Sequence, residues 1–301
     1  DNNTAVGRNA LLANTTGHSN TAVGFEAGAA NTTGIRLTAF GYQAGKAHVA
    51  TGNVQNVFVG NEAGLGNTTG VTNTFIGGSA GAANTTGSSN VGIGNGALGA
   101  NTTASNNTAV GMDSLGANTT GADNVAVGKG ALDANTTASD NTAVGSNALT
   151  TNTTGTANVA VGTSALNDNT TASYNTAVGQ ASLANTTTGQ ANTALGVDVL
   201  VANTTGLDNT AVGTSALSAN TTGSSNTVVG RAAGSSITTG SNNLMLGHDA
   251  GITGSPGGNL TTGSNEIALG DENIASASIQ VDWTVASDQR DKTDFTALDL
   301  G

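Results

Sequence analysis

The chain has 301 residues and a formal net charge of −12, which repels a phosphate backbone and disfavours both nucleic-acid and membrane-surface binding. Only 3% of its residues are aromatic and 9% charged, while 45 are glycine, so neither one deep core nor a charge-expanded disordered chain fits and the apolar residues must be buried in many thin layers. The absence of cysteine removes disulfides from the account, and no apolar run approaches the roughly 20 residues of a membrane span, so no membrane insertion is expected.

The chain opens inside a repeat: Asn3-Thr4-Ala5-Val6-Gly7 has counterparts along the sequence, as expected of a segment from a longer array. A landmark glycine returns at Gly7, Gly24, Gly41, Gly60, Gly77, Gly94, Gly111, Gly128, Gly145, Gly162, Gly179, Gly196, Gly213, Gly230, Gly247 and Gly270. The interval is 17 residues, except for 19 between Gly41 and Gly60 and 23 between Gly247 and Gly270, where Pro256 and nearby glycines predict an added loop. A stacked solenoid accommodates such insertions.

Within each unit a strand comes first. The residues three and one before the landmark (positions −3 and −1) are Thr or aliphatic and then aliphatic, as in Val125 with Val127 and Val159 with Val161, which is strand periodicity. The residue between them is usually alanine, as Ala126 and Ala160, with Phe58, Phe75 and Met245 as exceptions; a neighbouring chain is expected against that face. Three and four residues after the glycine, pairs such as Ala131-Leu132 and Ala148-Leu149 predict a second strand and the opposite wall, with glycine replacing leucine at Ala27-Gly28. These segments are too short for stable helices, and Asn-Thr-Thr-Gly follows at once, as at Asn118 to Gly121. A second asparagine, such as Asn124 or Asn158, stands four residues before most landmarks. Asparagine and glycine accept left-handed backbone, and turns stacked at about 4.8 Å predict Asn and Thr ladders along the edges.

Two short strands and two tight turns make one coil of a flattened, all-β roll, and the landmark glycines Gly24, Gly111, Gly128, Gly145 and Gly162 mark successive rungs. Rungs at about 4.8 Å make a rod of roughly 75 Å. Each coil buries about four small or medium apolar side chains, worth about 1 to 2 kcal/mol apiece, against a conformational cost of about 1 to 2 kcal/mol for every residue ordered. Identical chains covering the second face and the strand edges would relieve this deficit, which predicts an obligate oligomer.

Asn124-Val125-Ala126-Val127-Gly128 and Asn158-Val159-Ala160-Val161-Gly162 resemble the head repeats of YadA-type trimeric autotransporter adhesins, whose units are shorter than 17 residues. The resemblance spans residues 1 to about 270 and implies a trimeric left-handed parallel β-roll. Beyond Gly270 the repeat stops, and Ile279, Val281, Trp283 and Val285 alternate as a strand before Ser287-Asp288-Gln289-Arg290-Asp291-Lys292. That stretch resembles the opening of the endosialidase-type intramolecular chaperone, which ends many phage tail fibres and tailspikes and drives their trimerisation. The chain thus divides into a shaft, 1–270, and a connecting strand with the start of a chaperone, 271–301. In self-cleaving members the resemblance implies that Ser287 attacks the peptide bond after Ala286 with Lys292 assisting. In a non-cleaving or truncated chaperone, Ser287 is only a turn residue.

No other chemistry is legible. Asp123 and Asp140 occupy equivalent places in successive coils and are expected to be solvated, and no calcium-loop pattern recurs. His18, His48 and His248 fall at different repeat positions without metal-ligand spacing, so neither a metal nor a cofactor is expected. Triplets such as Asn101-Thr102-Thr103 are formal glycosylation acceptors that turn geometry explains better. Trp283, Tyr42 and Tyr174 are too scattered to line a glycan-cleaving cleft, so no enzyme beyond single-turnover self-cleavage is expected. The leading expectation is a homotrimeric phage tail-fibre shaft on the virion, joined to tail or baseplate proteins and supporting attachment to a host receptor, either a glycan or an outer-membrane component. The alternative is a YadA-like adhesin on a bacterial surface. A third reading, a monomeric ice-binding solenoid, is suggested by the Thr and Asn rows and weakened by their irregular spacing.

Overall fold

A computed structural model describes residues 2–276 apart from 253, 256 and 257; Pro256 and the strand expected at 279–285 fall outside the described residues. The landmark motif forms a three-residue strand in every unit, from Thr4–Val6 to Ile267–Leu269. Sixteen such strands pair in order as one parallel sheet, and none of the described residues is helical. Register is strict: Val125, Ala126 and Val127 pair with Thr108, Ala109 and Val110 on one side and with Thr142, Ala143 and Val144 on the other. The 23-residue interval leaves it intact, since Leu244 still pairs with Ile267 and Leu246 with Leu269. The 19-residue interval contributes Gly52–Asn53 to a small second parallel sheet, where it pairs with Gly34–Ile35 of the preceding coil. The protein is a parallel β-solenoid of 17-residue coils.

Two expectations need correction. The opposite wall is a stack of turns and not a second strand. Ala131 N–H donates to Gly128 O at 3.3 Å and Asn135 N–H to Leu132 O at 3.1 Å, closing tight turns within the coil. Leu132 N–H donates instead to Ala148 O of the next coil at 3.1 Å. The leucine sits in left-handed backbone, at φ 53 for Leu132 and 54 for Leu149, which an extended strand cannot accept. The second correction concerns which way the strand faces. Ala126 is fully buried inside its own coil, whereas Val125 and Val127 are 37% and 36% exposed. A three-residue strand directs one side chain inward and two outward, and the narrow space in front of the leucine wall admits an alanine.

The core is therefore a single file of Ala and Leu. Where the wall leucine is replaced by glycine, a bulkier neighbour fills the space: a Cβ at Gly28 would lie 3.0 Å from Leu37 Cδ2, one at Gly45 2.5 Å from Phe58 Cδ2, and one at Gly64 2.6 Å from Phe58 Cδ1. Phe58 and Phe75 stack with centroids 5.7 Å apart, continuing the file through the coils that lack the leucine. From Gly7 to Gly230 the landmark glycines end each strand at φ between +123 and +143, a region essentially closed to other residues, and a Cβ at Gly162 would lie 2.5 Å from Gly179 O.

Candidate interaction face

Two columns of buried asparagine hold the coils in register behind the sheet. At position −4, Asn124 Oδ1 accepts from Asn141 N–H at 3.0 Å, and Asn158 N–H donates to Asn141 Oδ1 at 3.0 Å. At the Asn-Thr-Thr turn, Asn135 Nδ2 donates to Asn118 Oδ1 at 2.9 Å. The two columns converge on one carbonyl per coil: Ala138 O accepts from Asn124 Nδ2 at 2.9 Å and from Asn135 Nδ2 at 3.0 Å. Thr119 Oγ1 adds a bond to Thr136 O at 2.9 Å, so both expected ladders form, although the asparagines lie buried in the coil interior. Asn101, first residue of a formal glycosylation triplet, is among the fully buried ladder residues.

His48 occupies an asparagine slot, which its bare sequence position conceals and the alignment of Asn31, His48 and Asn67 on the turn reveals. Its Nδ1 lies 3.0 Å from Asn67 Nδ2, its ring packs edge-on to Phe58 at 6.4 Å, and its Nε2 is buried without a partner. Burial holds its pKa down at about 4.

With the polar ladders and the alanines turned inward, the outward side of the sheet presents four columns along the stack. The −1 column is aliphatic or aromatic throughout, with Phe40 53%, Leu195 47% and Leu269 42% exposed. The −3 column is Thr or aliphatic, including Val125, Val159 and, at 60% exposed, Ile267. On one rim stands the residue following the landmark glycine: Arg8, Phe25, Tyr42, Lys129 and Arg231 among others. Phe25 and Tyr42 stack at 5.5 Å, and the Arg8 guanidinium lies 5.8 Å from the Phe25 centroid. The other rim is position −5, where Arg36, Asp123, Asp140 and Asp208 are exposed. Near the last strands an open groove of about 380 Å³ runs past Thr227, Leu244, Glu266 and Ile267, with no cluster of reactive groups. No protein-family model and no curated protein matches the chain.

The predicted repeat residues take distinct places. Gly24, Gly111, Gly128, Gly145 and Gly162 end the strands, Asn124 and Asn158 lie in the buried ladder, and Val127 and Val161 belong to the outward −1 column. Ser287 and Lys292 fall outside the described residues. Asp123 and Asp140 are exposed, Asp123 accepting from Asn106 Nδ2 at 3.0 Å. Among the described residues no group of three or more His, Cys, Asp or Glu side chains is gathered as a metal site would require. The acids whose pKa moves do so for local reasons: Lys46, bonded at 2.7 Å, and then Gln43 hold Glu26 below the usual carboxylate range, the Asn273 backbone N–H holds Asp271 down, and burial and then the Asp113 charge raise Asp133.

Proposed function

We propose that this chain is a structural shaft whose outward sheet face is the contact between identical subunits of a homotrimeric fibre. The observation that carries the reading is the unbroken −1 column: an apolar stripe the length of the sheet that nothing among the described residues covers. Contiguous exposed apolar surface of this kind marks interaction sites, and its periodic identity suits a partner with the same period. The shaft belongs to a phage tail fibre on the virion, carrying a host-recognition element away from tail or baseplate proteins toward a glycan or outer-membrane receptor. Support for that setting is the short motif from Ser287 to Lys292; if cleavage occurs there, it is a single-turnover maturation step. Light scattering on the purified chain at low concentration tests the assembly: three times the 28.9 kDa chain mass is expected, and a monomer would remove the reading.

The ice-binding reading gains one observation, since Thr176, Thr193, Thr210 and Thr227 form an uninterrupted run in the outward −3 column. Beside them the −1 residues Val178, Leu195, Val212 and Val229 favour burial against protein. A thermal-hysteresis assay is expected to show no activity.

A further inference from the structure

Resting on the assembly reading above, the two rims of the outward face specify how the copies meet. We propose that copies associate side by side, parallel and in the same register, with the −5 rim of one chain against the rim after the landmark glycine of the next. The rims are chemically unlike. The −5 rim carries Asp123, Asp140 and Asp208 with Arg36 the single base among them, and the opposite rim carries Arg8, Lys129 and Arg231 with Asp271 the single acid. Rotation about an axis along the stack brings unlike rims together, whereas an antiparallel copy sets acidic rim against acidic rim and basic against basic. Opposed potentials across an interface fix orientation and exclude the wrong arrangement.

Register follows from the same residues. Asp123 and Lys129 belong to one coil, before and after the strand Val125–Val127, so a cyclic arrangement without translation places Asp123 of each chain level with Lys129 of its neighbour. Within a chain the strand Val125–Val127 stands between them. Both are exposed, and among the described residues neither forms an ion pair. A second coil repeats the logic with other chemistry. Arg36 and Tyr42 flank the strand Thr38–Phe40, both exposed, and the Tyr42 ring already stacks on Phe25. A neighbour's Arg36 would come level with Tyr42 in the same way. Arg36 is the one basic residue on the rim that carries Asp123, Asp140 and Asp208, and its own coil carries Tyr42 of the aromatic stack on the opposite rim.

The chain has no cysteine, which makes pairing directly readable. Asp123→Cys and Lys129→Cys would be made singly and together in the full chain, oxidised, and resolved without reductant. A disulfide requires Cα atoms within about 7 Å. The −5 slot holds Ala157 and Ala191 at the same left-handed φ as Asp123, so cysteine fits its backbone. The double variant is expected to yield covalent trimers, and each single variant none. Self-crosslinking of the Asp123→Cys single variant would overturn the proposal by showing like rims in contact, as would an uncrosslinked double variant that light scattering still finds oligomeric. A monomeric parent chain would remove the assembly reading along with it. In parallel, Lys129→Glu is expected to weaken association by roughly fivefold at low salt, the upper range for one exposed pair, and Asp123→Lys in the same chain to restore it. Failure of the exchange to rescue counts against the pairing.

Discussion

His48 shows how much one slot in a repeat constrains its occupant. An asparagine there donates to the ladder without carrying charge, whereas His48 keeps Nε2 buried and unpartnered, and protonation would put a cation into an apolar coil beside Phe58. Its pKa is lowered from 6.5 to about 4, with burial as the cause. The group therefore binds protons more readily unfolded than folded between those values. Its contribution to stability is fully present above about pH 6.5, falls as the pH drops toward 4, and is lost below that, a span of about 3 kcal/mol at 1.36 kcal/mol per pKa unit. Thermal unfolding at pH 7 and at pH 4 measures it: His48→Asn is expected to remove most of the acid sensitivity of this coil. Equal acid losses in parent and variant would place the sensitivity elsewhere.

At the scale of the coil, wall and strand share one fixed volume. A leucine in the wall goes with alanine in the strand, as Leu132 with Ala126, and glycine in the wall goes with a larger neighbour, as Gly64 with Phe58. Phe58→Ala is expected to cost about 3 to 5 kcal/mol, because the coil has no other side chain to close the gap. Adding Gly64→Leu to that variant recovers much of the loss, since leucine occupies the same left-handed position in the neighbouring design at Leu98 and Leu115. Gly64→Leu alone is strongly destabilising because its side chain enters space held by Phe58. Unfolding midpoints of the two singles and the double form a cycle; additive losses would refute the shared volume.

At the scale of the molecule, the strands of the described residues touch only those of neighbouring coils, so length is adjustable in units of one repeat. Removing residues 146–162 takes out one 17-residue coil and rejoins Gly145 to Thr163 with every column aligned. The shortened protein is expected to keep its β-sheet circular dichroism and to melt within a few degrees of the parent. Removing 147–162 leaves one residue extra, shifts Leu166 out of its left-handed slot relative to the strand, and is expected to lower the midpoint sharply. Similar melting of both deletions would contradict the strict register. The proposed assembly tolerates the 17-residue deletion as well, because every copy shortens identically and the Asp123 and Lys129 level is untouched.

The periodic glycines, the three-residue strand and the paired asparagines were legible in the amino-acid order, because a residue that must take positive φ or fill a stacked amide slot leaves its mark at every rung. The direction of the strand was not. Val-Ala-Val alternates equally well with valine or alanine inward, and only the left-handed leucine opposite Ala126, which narrows the interior to one small side chain, turns the valines out. The same closure decided that the second wall is a ladder of turns and that the His48 ring is buried against Phe58. Chain order supplies the composition of each column; which columns look inward depends on the width of the space between two walls, and that width exists only once the coils are stacked.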